Sequence, residues 1–130
     1  MHARLKLLAL NLYNCMETFT IDASGKKIGR IASEAAFALM GKNRTDYMPN
    51  AFPEVQVTVT GVNALDISDK KAATKIYRNY SGYPSGLHDR TLAKVVADKG
   101  NAEALRIAIR GMLPPNKLRA RRLKLLTIQG

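Results

Sequence analysis

The 130-residue sequence has one cysteine, no tryptophan, only 6% aromatic residues and few acidic side chains. Cys15 alone cannot form an intrachain disulfide, and with only His2 and His88 beside it no closed Cys/His zinc site can be built. A reducing compartment is the expectation. No apolar run approaches the roughly 18 residues that a membrane-spanning helix needs. At 46% hydrophobic and 24% charged residues, the composition is that of one folded domain rather than a disordered chain.

The shortage of acid is uneven. Residues 1–69 hold seven basic and seven acidic side chains, whereas residues 70–130 hold fourteen basic ones against Asp89, Asp98 and Glu103. The whole net charge of +11 therefore lies in the C-terminal half, where it produces a field that attracts polyanions.

The opening MHARLKLLALNLYNC places Arg4 and Lys6 ahead of a leucine-rich run, but Asn11 and Asn14 interrupt it and its leucines do not share a helical face. Residues 1–17 are read as an N-terminal extension, with Met16 as an alternative start, and residues 18–130 as one domain. TFTID at 18–22 reads as a short strand. Ile28, Ile31, Ala32, Ala35, Leu39 and Met40 then recur on one helical stripe, with Gly41 placed as its C-terminal cap. Val55, Val57 and Val59 alternate with Gln56, Thr58 and Thr60, the period of a strand, and a second β-rich piece is expected over 64–67. Residues 75–80 read as a strand entering the turn-rich SGYPSG at 81–86. Two helical stripes follow, Leu92/Val95/Val96 ending at Gly100 and Leu105/Ala108/Ile109/Met112 ending at Pro114 and Pro115. A cationic helix over 117–124 and a last strand over 125–128 complete the chain. This order predicts a small three-layer α/β/α domain with a largely parallel sheet.

Three segments carry binding chemistry. Lys26, Lys27 and Arg30 surround the turn that opens the first helix, where free N–H groups and the helix dipole favour a phosphate; the spacing is neither a Walker loop nor Gly-x-Gly-x-x-Gly. The alternative there is a tight turn with solvated cations. Three of the five tyrosines, Tyr77, Tyr80 and Tyr83, fall within seven residues together with Lys75, Arg78, Ser81 and Gly82, a mixture that stacks on bases and reaches phosphate oxygens. A half-buried edge strand has the same composition. Lys117, Arg119, Arg121, Arg122 and Lys124 put five cations in eight residues, able to neutralise phosphates without reading sequence. Catalysis finds little support: Cys15 and His88 stand in no nucleophile–base pattern, and Asp22 and Asp46 read as a strand end and a loop residue. No metal or cofactor is expected.

Thr20-Ile21-Asp22-Ala23-Ser24-Gly25-Lys26-Lys27-Ile28-Gly29-Arg30, Gly41-Lys42, Val62-Asn63-Ala64, Lys75-Ile76-Tyr77, Ser81-Gly82-Tyr83-Pro84 and above all Arg110-Gly111-Met112-Leu113-Pro114 occur in the order of one known family. The chain resembles the large-subunit ribosomal protein thirteen family in its bacterial form, collinearly from about residue 18 to 128. The resemblance implies a four-stranded parallel sheet in the α/β/α domain and a non-enzymatic structural role in the large subunit. It also implies binding of large-subunit rRNA, early action in assembly, and contact with neighbouring ribosomal proteins. It places the RNA-facing residues on the loop around Tyr77–Gly86, the Gly25–Arg30 turn and the basic segment after Pro114; Lys42, Arg44 and Arg110 complete the candidate RNA contacts. Because the N-terminal segment makes a poor transit peptide, a cytoplasmic ribosome is expected, with an organellar one as the alternative. Arg78, Asn79 and Tyr80 depart from the second aromatic and histidines that the family usually carries there, and Pro115 and Arg119 stand where many relatives have a basic residue and a glycine. Two further readings stand beside this one, a free RNA-binding translational regulator and a small nucleotide-binding enzyme built on the Gly25–Arg30 turn.

Overall fold

The computed structural model describes residues 17–53 and 55–130. The expected extension lies outside the described residues except for Glu17, which opens the first strand. The elements in chain order are β1 (Glu17–Asp22), α1 (Ile28–Leu39), β2 (Val55–Thr60), a 3-10 turn (Val62–Ala64), α2 (Asp69–Thr74), β3 (Ile76–Tyr80), β4 (Leu87–Thr91), α3 (Leu92–Met112), α4 (Leu118–Lys124) and β5 (Leu126–Ile128).

β2 is the middle strand of a parallel sheet in the order β1-β2-β5, with Phe19 and Leu126 beside Val57 and with Ile21 and Ile128 beside Val59. Its alternation separates two faces. Val55, Val57 and Val59 are buried in one core with Ile28, Ile31, Ala35 and Leu39 of α1 and with Leu105 and Ile109 of α3. α1 and α3 also pack on each other, and the Ser33 hydroxyl donates to Met112 Sδ at 3.4 Å.

The opposite face of the sheet is polar. Thr18, Thr20 and Thr127 are exposed there, and Gln56, Thr58 and Thr60 are half-buried. The expected four-stranded parallel sheet is corrected: among the described residues three strands form the parallel sheet, and β3 and β4 form a separate antiparallel pair. Valine–threonine alternation buries the valine side of β2 fully and the other side in part, whereas a strand fully buried on both faces is apolar throughout.

Local sequence sets the ends. Gly41, at φ +75°, closes α1: its N–H reaches the Ala38 carbonyl at 2.8 Å and the Lys42 N–H reaches the Phe37 carbonyl at 3.2 Å, the paired bonds of a Schellman cap. Any other residue at 41 would set a Cβ 2.8 Å from Pro53 Cβ. α3 breaks at Gly100, where φ 80° and ψ 174° leave the helical region, and the neighbouring Asn101 amide donates to the Val62 and Asn63 carbonyls at 3.3 and 3.4 Å. The expected strand over 64–67 is instead the end of the 3-10 turn followed by a single bridge, Asp66 to Lys27. β4 is an element that the sequence reading leaves out, because LHDRT has neither apolar alternation nor a continuous apolar run.

A one-faced sheet makes a testable contrast. Leu105→Ala, inside the shared core, is expected to lower stability by about 2–5 kcal/mol. Thr127→Ala, on the open face, is expected to stay within about 0.5 kcal/mol. Denaturant midpoints at constant slope measure both; a large loss at Thr127 would mean that the polar face is covered.

Candidate nucleic-acid interface

Parallel strands impose the geography of the candidate residues, because each crossover leaves the carboxyl end of one strand and returns to the amino end of the next. The turn holding Lys26, Lys27 and Arg30 lies at the carboxyl ends of β1 and β2, tied there by the Gly25 N–H to the Ala64 carbonyl at 2.9 Å and the Ala23 N–H to the Thr60 carbonyl at 2.9 Å. The Asp22 carboxylate accepts from the Ser24 N–H at 3.0 Å and the Ser24 hydroxyl at 2.8 Å, and the backbone donor followed by the hydroxyl holds its pKa below the ordinary carboxylate range. Asp22 is thus turned into its own turn. α1 begins with no side-chain cap and no acid in its first turn, and the Arg30 N–H already reaches the Lys27 carbonyl at 3.0 Å, so what this end offers an anion is chiefly the helix dipole beside Lys26, Lys27 and Arg30. Lys27 Nζ stands 3.5 Å from Asp66, an exposed pair of small weight.

A second group gathers at the amino ends of the strands. α4 leads directly into β5, and the loop after α1 leads into β2. Arg121 sets its guanidinium 6.0 Å from the Phe52 ring centre, next to Pro53 and Gly41, so the structure brings the basic helix to the same end as Lys42 and Arg44. Lys42, Lys117, Arg121 and Lys124 are exposed and Arg119 is half-buried. Arg44 grips Asp46 through both nitrogens, Nε to Oδ1 at 2.9 Å and Nη2 to Oδ2 at 3.0 Å; this raises the Arg44 pKa and lowers that of Asp46, and it spends the Arg44 fork within the loop. Arg110, exposed in the last turn of α3, completes the set.

Arg122 departs from the expected solvated cation. It is only 2% exposed, and its Nε has no hydrogen-bond partner among the described residues. The signal was present in the sequence: Leu118, Arg122 and Leu125 recur at i, i+4 and i+7, which puts Arg122 on the apolar face of α4 while Arg121 and Lys124 point outward. Its long aliphatic stem makes such burial feasible.

The tyrosine segment forms the third place. β3 and β4 pair from Ile76/Thr91 to Tyr80/Leu87, and the tip is closed by the Ser81 N–H to the Gly86 carbonyl at 3.2 Å and the Gly86 N–H to the Tyr83 carbonyl at 3.0 Å. Gly86 is buried in this tip, where a Cβ would strike the Ser81 hydroxyl and stand 2.9 Å from the Tyr83 carbonyl. Tyr77 is half-buried against the core and its phenol pKa is raised by burial, while Lys75 Nζ lies 5.8 Å from its ring centre. Ser81, Gly82 and Tyr83 are open to solvent. Arg78 is paired with Asp89 across the strands at 3.4 Å.

The candidates therefore occupy three places and do not converge on one. β2 spans about 20 Å from end to end, beyond the screening length of about 8 Å at physiological salt, so the cations at its two ends are electrostatically separate groups. No group of three or more His, Cys, Asp or Glu gathers for a metal among the described residues.

The comparisons agree with the motifs. A family model described as Ribosomal protein L13 matches residues 16–129. The large ribosomal subunit protein uL13 of Rubrobacter xylanophilus is 39% identical over 110 residues, covering 85% of this chain and 76% of that protein. Its counterpart in Thermus thermophilus is 40% identical over 108 residues, covering 83% and 76%, and that of Syntrophus aciditrophicus 38% over 112 residues, covering 86% and 78%. The ordered motifs, from the turn at Gly25 to the Arg110–Pro114 run, thus have their explanation: the chain belongs to the ribosomal protein L13 family, a family of large-subunit ribosomal proteins and not of enzymes.

Proposed function

We propose that this chain is a structural constituent of the large ribosomal subunit that binds large-subunit rRNA at both ends of its sheet and supports early assembly. The observation that carries this reading is the distribution of charge: fourteen basic residues against three acidic ones from residue 70 onward, with Lys117 exposed just before α4 and Arg121 and Lys124 exposed on it at one end. Lys26, Lys27 and Arg30 serve the other end, where the uncapped start of α1 adds its dipole.

The mechanism is phosphate neutralisation with release of counterions, which needs no base reading. Lys42, Arg110 and Arg119 extend the α4 surface. Lys75, Ser81, Gly82 and Tyr83 contribute from the hairpin, where a tyrosine packs on a ribose or base. Arg44 and Arg78, each tied to an aspartate, position more than they neutralise. Two separated cationic ends hold two RNA segments at a fixed distance. That contribution is largest before the surrounding RNA is ordered, when closing the loop between the segments costs most entropy.

Tagged at its C-terminus and followed through a sucrose gradient at moderately high salt, with subunits dissociated by low magnesium, the protein is expected to sediment stoichiometrically with the large subunit. Protein remaining at the top of the gradient would refute the structural role. Tight binding to one messenger without ribosome association would establish the regulator reading instead.

A second prediction separates neighbours on α4. Replacing Arg121 and Lys124 together by Ala is expected to reduce the salt slope of rRNA binding by about one to two phosphate contacts. Arg122→Ala is expected to leave that slope unchanged and to cost about 1–3 kcal/mol of stability. A salt slope that falls with Arg122 and not with its neighbours would reverse the assignment.

A further inference from the structure

Cross-strand pairing divides the β3–β4 hairpin into two faces of different chemistry. Ile76, Arg78 and Tyr80 alternate along β3 and stand opposite Thr91, Asp89 and Leu87, so these six share one face. Tyr77 and Arg90 lie on the other, where Tyr77 packs toward the core. On the outer face Ile76 is 45% exposed, Leu87 59% and Tyr80 64%, with Tyr83 at 75% just beyond at the tip. Four of the eight large exposed hydrophobic side chains among the described residues are in this one hairpin. A two-stranded ribbon with an unburied apolar face is marginal by itself in water.

We infer that this outer face docks against an uncharged apolar patch on a neighbouring protein of the large subunit, an inference that rests on the ribosomal role proposed above. Charge selects this occupant over RNA. The only two charges on the face are Arg78 and Asp89, and their ion pair leaves it neutral in the half of the chain that is otherwise strongly cationic. A phosphate approaching there would meet the Asp89 carboxylate as well as the Arg78 guanidinium. Ile76 and Leu87 offer neither a hydrogen-bond donor nor a π-face on which a base stacks. Two aliphatic side chains with an aromatic neighbour and a neutralised charge pair make up the dry centre of a protein interface, and Tyr80 adds an apolar ring with a polar tip, while Tyr83 at the tip is left to the RNA. The hairpin thus turns its cationic side, Lys75 and Arg90, one way and its apolar side the other.

Charge of either sign at Leu87 distinguishes the occupants. Full-length Leu87→Lys and Leu87→Asp are expressed in cells, and large subunits are isolated and washed with salt. Against an apolar protein patch both charges are buried without a partner, so retention of both variants is expected to fall by about tenfold or more. Leu87→Met is expected to be retained like the parent. Binding of each purified variant to protein-free rRNA transcript is expected to change by less than about threefold, since a single charge is altered and the cations at the two ends of the sheet are left intact. Retention of Leu87→Lys with loss of Leu87→Asp would overturn the inference in favour of RNA, and full retention of both would overturn it outright.

A photoreactive p-benzoylphenylalanine in place of Tyr80, irradiated in intact large subunits, is expected to crosslink to another large-subunit protein. Crosslinking to rRNA, to a second copy of this chain or to nothing would overturn the inference. Absence of the parent chain from the large subunit would sink the ribosomal role itself, whereas its presence with an rRNA crosslink would sink only the docking face.

Discussion

The structure depends on burying one side of β2. As the middle strand it carries the ladder to β1 on one edge and to β5 on the other, and its three valines are almost completely withdrawn from solvent beneath α1 and α3. At roughly 25 cal/mol per Å² of apolar surface, a row of three fully buried valines is a substantial part of the driving force of so small a domain. The same row fixes register, because a slip by one residue would exchange the three valines for Gln56, Thr58 and Thr60 in the core. β5 has only three residues and Ile128 is half-buried, so its place beside β2 follows from that register more than from its own hydrophobicity.

The parallel arrangement has a consequence for function that an antiparallel sheet would lack. Connections in an antiparallel meander alternate between ends, so charge added to successive loops mixes at both. In β1-β2-β5 each crossover runs the full length of the sheet, and the segments leaving strands are kept apart from the segments entering them. The Gly25–Arg30 turn leaves β1, whereas the Lys42 loop and α4 enter β2 and β5. Cations that are scattered in sequence between residues 26 and 124 thereby sort into distinct groups. The ion pairs among the described residues, Lys27–Asp66, Arg44–Asp46 and Arg78–Asp89, are too exposed to hold the fold. They decide which cations stay available, and α4 has no part in any of the three.

Much of this was legible in the sequence, with informative failures. The stripe from Ile28 to Leu39, the break at Gly100 and the stop before Pro114 were readable because local backbone chemistry decides each of them. The alternation in VQVTVT identified a strand, yet the family resemblance led to an expected fourth parallel strand where the described residues form three and a separate antiparallel pair. β4 was hidden because LHDRT owes its strand state to pairing with β3, a non-local fact. Within the candidate site, composition could find a basic helix but could not rank its members. Arg121 and Arg122 are adjacent and chemically identical, and only the helical spacing from Leu118 decides that one faces solvent and the other the interior. The tyrosine segment shows the same limit, since the pairing of Arg78 with Asp89 cancels a charge that the sequence counts as free.

The charge that marks the interface also works against the fold. An excess of +11 on 130 residues repels itself, and that repulsion is relieved by expansion of the chain as readily as by binding a polyanion. A ligand that binds the folded protein better than the unfolded one adds stability in proportion to the logarithm of its concentration over its dissociation constant. Unfolded chain also binds phosphate through its lysines and arginines, so stabilisation by RNA requires a benefit that only the folded state supplies. In the proposed role the sheet supplies it by presenting cations at two fixed ends, where RNA segments of matching separation would be met together. Arg122 illustrates the complementary constraint: within a helix whose other cations turn outward, one guanidinium is drawn into the interior, and its stem helps to anchor α4 to the domain. Anchoring and presentation therefore come from the same seven-residue helix, and the spacing of Arg122 from Leu118 and Leu125 assigns Arg122 to the first task and its neighbour Arg121 to the second.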